Sequence, residues 1–357
     1  MNAYPRLTVD LQKLRFNTAA LSELCHGAGI SMAAVTKLFC ADRRIVEAVS
    51  GLPVDYLADS RLENIARYPE NNLKRMLLRA PAPDMAEEVV RYCDISLNSE
   101  QVTLKALSEA AERQNKRHGV MLMIDVGDLR EGIYYDNVKA IVQAARFAAS
   151  RSYLNFLGIG VNLTCYGSVI PTVENLDTLC GIADGLERRL GVNLPIVSGG
   201  NSSSVYLLKN GRMPKRVSNL RLGESIVRGV ETAFGRPIDG LFQDVVILEA
   251  KLVEIQNKPS YPKGEMGMNA FGERPFFKNE RRHLRGIVAA GRQDTDYRGI
   301  KCLDERVEIL GASSDHLIVD LTPSERYYSV GDTIRFSLDY SAMLRGFTSG
   351  YVARVYG

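Results

Sequence analysis

AAVTK (33–37), YLADS (56–60), RMLLRA (75–80) and DISLNS (94–99) are short apolar runs, and each ends in polar or ionisable residues. VMLMIDVG (120–127), FLGIGVNL (156–163), LPIVSGGNS (194–202) and NLRLGES (219–225) continue the series to eight. Most are separated by stretches with helical spacing of apolar residues, such as RRIVEAVSG, SEQVTLKALSEAAERQ and VENLDTLCGIADGLERRLG. Eight strand–helix alternations predict an α/β fold, a (β/α)8 TIM barrel. In such a barrel the strand ends Lys37, Asp59, Arg79, Asn98, Asp125, Asn162, Asn201 and Arg221 would line one rim, where barrel enzymes carry their chemistry. A single polar strand end says little, because loops are polar anyway. The reading rests on eight of them together.

Working outward, DVVILEAKLVEIQ, HLRGIVAAG, VEILGASSDHLIVDL and DTIRFSLDY are strand-like and lack long helices between them. The predicted division is therefore a barrel over 1–235 and a smaller C-terminal β domain over 236–357. Asn2 to Leu21 suits either a strand of the β domain or a helix on the barrel, so the first 20 residues could join either one. The chain has 357 residues, 45% hydrophobic and 24% charged, which excludes disordered, collagenous and coiled-coil classes. Its net charge of +3 gives no sign of a nucleic-acid surface. Six cysteines without zinc-ligand spacing fit reduced thiols and no metal site, and no apolar run is long enough for a membrane span. The N-terminal stretch lacks an apolar signal core, so a cytoplasmic protein acting on a small molecule is expected.

Lys37 closes the first barrel strand between two apolar stretches. Desolvation there would lower its pKa and suit a Schiff-base lysine; a snorkelling lysine at a strand end is the plainer alternative. SGGNSSS (198–204) and RLGES (221–225) follow the last two strands, where barrels often bind phosphate, although a Gly/Ser-rich loop can also be a simple turn. A lysine on the first strand with a phosphate cradle on the last two suggests pyridoxal 5'-phosphate.

The strings LADSR (57–61), DVGDLREG (125–132), GVNLTCYGSVIP (160–171), VSGGNSSSVYL (197–207), NLRLGES (219–225), GRQDTD (291–296), VEILGASSDHLIVD (307–320) and DYSAMLRGFTS (339–349) span nearly the whole chain. With them the chain resembles the alanine racemase group of fold-type III pyridoxal-phosphate enzymes, and within that group it looks closest to the racemases that act on ornithine. The resemblance implies a Schiff base at Lys37, which then serves as one of two acid/base groups. It also implies an Arg221 contact to the pyridine nitrogen and phosphate binding by Ser202, Gly223 and Glu224. Arg130 would lie near the phenolic oxygen, and Asn162 would stand where alanine racemases have a ring-contacting histidine. A head-to-tail homodimer with shared active sites follows from the same resemblance.

Two departures from the group pattern stand out. Alanine racemases take a second base, a tyrosine, from the partner's β domain, but the corresponding PKGEMGMNAFG (262–272) has none. Asp315 and His316 are the candidates to replace it. The usual phosphate-contacting tyrosine falls at or near Gly350, so Tyr340 or Tyr351 is expected in that role. Ornithine carries a terminal ammonium that needs a carboxylate when desolvated, and Asp294, Asp296, Asp315 and Asp59 are available for it. L- and D-ornithine interconversion is thus the expected activity. Lysine or broader racemisation, a D-amino-acid lyase or aldolase with Asp315 and His316 on a metal, and a non-catalytic cofactor carrier are the alternatives.

Overall fold

The computed structural model describes residues 3–277 and 281–357. All eight runs are strands: β2 (Ser31–Val35), β3 (Tyr56–Asp59), β4 (Lys74–Leu77), β5 (Ile95–Asn98), β6 (His118–Asp125), β7 (Leu154–Gly160), β8 (Ile196–Ser198) and β9 (Asn219–Leu222), with β1 (Arg6–Val9) preceding them. Neighbouring strands pair in parallel in the order β5-β4-β3-β2-β9-β8-β7-β6, and a β5–β6 pairing closes the ring. The strands are buried on both faces, as in β6, where every residue of HGVMLMID is buried. Continuous apolar runs are what a parallel sheet sandwiched between its own side chains and a helix layer requires. Helix starts follow local chemistry. Asp42 accepts from the N–H groups of Arg44 (3.1 Å) and Ile45 (3.3 Å), and Thr172 and Asn175 form a reciprocal capping box ahead of Val173–Leu190.

Ala33, Val35, Ala58, Met76, Ile95, Leu97, Met121, Met123 and Ile196 form one buried cluster that marks the inward face of the strands. Side chains alternate along a strand, so Lys37 and Asp125 continue that phase while Asp59 and Asn98 are one step out of it. Strand β7 alters the count. Val120 pairs with Phe156 but Met121 pairs with Gly158, so one extra residue sits in β7. After this bulge Gly158, Gly160 and then Asn162 take the inward phase. The bulge needs glycine: Gly158 has φ +158°, and a Cβ there would lie 1.7 Å from the Ile196 carbonyl oxygen on β8.

Barrel and helices form one compact unit, Gln12–Gln243. A second unit takes the chain up to Leu11 together with Asp244–Gly357. Strand β1 lies in the second unit, and the helix Leu11–Gly27 runs from its last residue into the first. The second unit is a sheet of β1 with β10 (Val246–Pro259), β11 (Arg282–Val288), β12 (Ile300–Cys302), β13 (Glu308–Ala312), β14 (Leu317–Asp320), β15 (Thr333–Leu338) and β16 (Ala353–Tyr356). Its pairings are antiparallel except that of β1 with β16. It also carries a helix, Tyr340–Thr348, which strand counting passes over; the Asp339 side chain caps it by accepting from Ala342 N–H at 2.8 Å. Among the described residues no helix is long and apolar enough to cross a membrane.

Gly158→Ala is expected to cost more than about 3 kcal/mol, because the methyl can enter only by breaking the β7–β8 pairing. Urea unfolding of the variant beside the parent protein measures this, and a midpoint equal to the parent's would contradict the bulge.

Candidate active site

The rim at the C-terminal ends of the barrel strands is built around Arg221. It lies on β9 and is 3% exposed. Its Nη2 donates to the Val161 carbonyl and to Asn162 Oδ1, both at 2.7 Å, and its Nη1 donates to Ser198 Oγ. Ser198 Oγ passes on a hydrogen bond to Asn219 Oδ1 at 2.6 Å. A Cβ at Gly160 would stand 3.2 Å from Ser198 Cβ and 3.4 Å from Arg221 Nη1. Burial pulls the Arg221 pKa down to about 10, with the Glu131 carboxylate opposing the shift. At neutral pH it is a charged group that can only donate.

Lys37 opens a 3-10 turn, Lys37–Phe39, directly after β2, and is half-buried. Gly223, beside Val35 across the sheet, approaches so closely that a Cβ would stand 3.0 Å from Val35 Cβ and 3.2 Å from the Val35 carbonyl oxygen. Ser202 joins the two loops expected to bind phosphate. Its Oγ accepts from the N–H groups of Ser225 (3.1 Å) and Gly223 (3.4 Å) and lies 3.1 Å from Ser225 Oγ. Asn201 caps the Ser202–Ser204 turn, and its Nδ2 donates to the Leu163 carbonyl at 3.0 Å and to Cys165 Sγ at 3.3 Å. Glu224 starts the short helix Glu224–Arg228 and pairs with Arg228.

Arg130 is exposed and paired with Glu131, whose carboxylate also accepts from Asn162 Nδ2. Glu131 was not singled out in the sequence, although it adjoins Arg130. Asp128 was missed as well. It is 1% exposed, and its carboxylate accepts from the N–H groups of Cys165 (3.2 Å), Tyr166 (3.0 Å) and Val169 (3.2 Å). It thereby ties the loop after β6 to the loop after β7, where Thr164 and Ser168 sit at φ +60° and +56°.

Lys37, Arg130, Asn162, Ser202, Arg221, Gly223 and Glu224 therefore share one rim. Asp59 and Asn98 also end barrel strands, with their side chains engaged by other partners. Asp59 is buried and accepts from Thr36 Oγ1 at 2.5 Å, Arg61 N–H at 2.8 Å and Asn64 Nδ2 at 3.1 Å. Asn98 donates to the Ser96 carbonyl at 2.8 Å. Arg79 is exposed beyond β4.

The N-terminal domain family of alanine racemase matches residues 9–229. The chain belongs to the alanine racemase family. An ornithine racemase of Acetoanaerobium sticklandii is 47% identical, with 98% of this chain and 99% of that one aligned. A lysine racemase of Thermotoga maritima is 37% identical over 99% of this chain and 98% of its own. Among solved structures, the alanine racemase of Bartonella henselae with covalently bound pyridoxal phosphate shares the fold, with a TM-score of 0.74, 17% identity and coverage of 99% and 100% of the two chains.

In this member of the alanine racemase family the remaining expected residues lie in the second unit. Asp294 is buried and accepts from Gly291 N–H at 2.8 Å; burial pushes its carboxyl up. Asp296 accepts from Ser341 Oγ and Arg298 N–H at 2.8 and 3.2 Å and is held below the usual carboxylate range, chiefly by Ser341. Asp315 and His316 are exposed in the turn between β13 and β14, where Asp315 accepts from Gln293 Nε2 and Ser314 Oγ, both at 2.5 Å. Tyr340 begins the C-terminal helix, and Tyr351 is 74% exposed. In the stretch without tyrosine, Asn269 Oδ1 accepts from Phe271 and Glu273 N–H, both at 2.9 Å. Arg292 and Arg298 then hold Glu273, whose carboxyl falls to about 2, first through the Arg292 hydrogen bond. All six cysteines are free, and among the described residues no group of three or more His, Cys, Asp or Glu gathers as a metal site would.

Asp128→Asn keeps the side chain's size but exchanges an acceptor oxygen for a donor facing backbone N–H groups. It is expected to cost about 1–3 kcal/mol and to speed hydrogen exchange at Cys165, Tyr166 and Val169. Peptide-level exchange with mass detection checks both loops; unchanged protection there would show that Asp128 does not hold them together.

Proposed function

We propose that the protein is a pyridoxal-phosphate-dependent racemase that interconverts L- and D-ornithine. The observation that carries the substrate is the 47% identity to an ornithine racemase along almost the whole chain. The rim residues fit the cofactor by their chemistry. They combine a lysine amine, a buried guanidinium with donors only, and two glycine- and serine-containing loops joined through Ser202 Oγ. When bound, pyridoxal phosphate would supply an electron sink for the carbanion left at the amino acid's Cα.

Each residue then has a task. Lys37 Nζ would take the cofactor covalently and, once displaced by the substrate amine, hold or move the proton at Cα on one face. Arg221 would face the pyridine nitrogen. Because it can only donate, it would leave that nitrogen unprotonated and temper the sink, which favours returning the proton over side reactions. Ser202 Oγ and the N–H groups of Gly223 and Glu224 would hold the phosphate, with Asn162 and Arg130 beside the ring. The opposite face needs a second acid/base group, expected from the sheet unit of a second copy in a homodimer. Asp315 and His316, exposed in their turn, are the proposed pair, and Tyr340 and Tyr351 are the proposed phosphate contacts from the same unit. Asp294 and Asp296 are proposed for the substrate ammonium; Asp294 already accepts from Gly291 N–H in its own loop, and Asp296 from Ser341 Oγ on the C-terminal helix. Lysine is the second reading, supported by the 37% identical lysine racemase.

The purified protein is expected to be yellow, and Lys37→Ala to be colourless and at least about 100-fold slower. Exchange of the ornithine α-hydrogen with deuterium oxide, followed by proton NMR together with optical rotation, measures the reaction. Lack of rotation change with both ornithine and lysine would refute the function. His316→Ala and Asp315→Asn are each assayed in both directions: the variant lacking the second acid/base is expected to lose about 10²–10⁴-fold, and parent rates in both would remove the pair.

A further inference from the structure

The proposed reaction leaves one ionised group of the rim without a task. Glu131 Oε1 accepts from Arg130 Nη2 at 2.6 Å and from Asn162 Nδ2, while Oε2 accepts from Arg130 Nε. Asn162 Oδ1 in turn accepts from Arg221 Nη2 at 2.7 Å. The amide of Asn162 is thus oriented from both ends, its NH2 toward a carboxylate and its oxygen toward a guanidinium. The result is a continuous line of cation, carboxylate, amide and cation across the rim.

The charge balance explains why the carboxylate has to be this one. Arg221 is buried, and a buried guanidinium without a counter-charge is strongly unfavourable. Asp125, at the end of β6, and Asp128, in the loop with Glu131, have carboxylates that serve the backbone. Asp125 Oδ1 accepts from Gly127 and Leu129 N–H at 2.8 and 3.2 Å, and Asp128 accepts from the three N–H groups beyond β7. Lys37 and Arg130 add positive charge at the same rim, and the Cys165 thiol and Asp128 lie near Arg130. The Glu131 side chain is 25% exposed, sheltered enough for its charge to act on Arg221 through the protein rather than through water.

We infer that Glu131 is a positioning residue of the racemase: it fixes Asn162 and Arg130 at the rim and supplies the counter-charge that sets how positive Arg221 is toward the cofactor ring. The inference rests on the reading that Arg221 faces the ring nitrogen. Burial pushes the Glu131 carboxyl up, but the hydrogen bonds from Arg130 and Asn162 and the nearby guanidinium charges leave it below the ordinary glutamate value, so it is ionised at neutral pH.

Removing this negative charge raises the positive potential around the bound cofactor and disfavours its protonated form. Glu131→Gln keeps the shape and removes the charge. In cofactor-loaded protein, the pH midpoint of the visible absorbance is expected to move down by about one unit. The kcat for ornithine should fall about 10–100-fold with little change in KM, and Glu131→Asp should recover part of both. A parent-like pH midpoint and kcat in Glu131→Gln overturn the inference while the proposed function stands. Loss of cofactor binding or of ornithine turnover in the parent protein overturns the function, and the inference with it. Should Glu131→Gln not fold, Glu131→Ala removes the same charge, and an unshifted absorbance midpoint there overturns the inference equally.

Discussion

A guanidinium enclosed in a barrel of apolar strands is the constraint on which the site depends. Arg221 cannot shed its proton at neutral pH and cannot reach bulk water, so the surrounding chain must provide acceptors and charge. Three strands contribute: Ser198 ends β8, Val161 and Asn162 follow β7, and Asn219 supports Ser198 from β9 itself. None of these acceptors carries a full charge. That comes from Glu131 in the loop after β6, which explains why this loop and the one after β7 must be held in register by Asp128.

Much of this was legible in the residues. The eight strand runs read directly, because a parallel strand covered on both faces has to be apolar along its length and its end has to turn polar. Lys37 and Arg221 could be found because each is a cation set against an otherwise apolar strand. Asp59 and Asn98 differ from Lys37 in phase. The polar residue that ends a strand can point to either face, and Asp59 and Asn98 are one residue out of step with Ala58 and Leu97.

Other features left weaker traces. Counting by twos along FLGIGVNL gives no warning that Leu157 and Gly158 share a face, so the inward turn of Asn162 depends on a pairing irregularity visible only against β6. Glu131 looks like any acidic residue beside an arginine until Asn162 is brought to it from 31 positions away. Asp128 acts on backbone N–H groups, which carry no residue-type signature at all. The Tyr340–Thr348 helix is hidden among strands because nine residues allow little more than two turns of periodicity.

The sheet of the second unit has its own consequence for how the polypeptide is made. Arg6–Val9 precedes the barrel in the chain, yet its two neighbours, Val246–Pro259 and Ala353–Tyr356, are synthesised after it. The strand must stay unpaired while more than two hundred residues emerge, and the barrel can close within that interval. Gly357 extends the pairing of β1 with β16: its N–H donates to the Val9 carbonyl at 3.0 Å, and its carbonyl accepts from Leu11 N–H at 3.1 Å. The sheet therefore cannot be completed before the barrel strands have been made, and a chain cut short before Ala353 would leave one edge of β1 open.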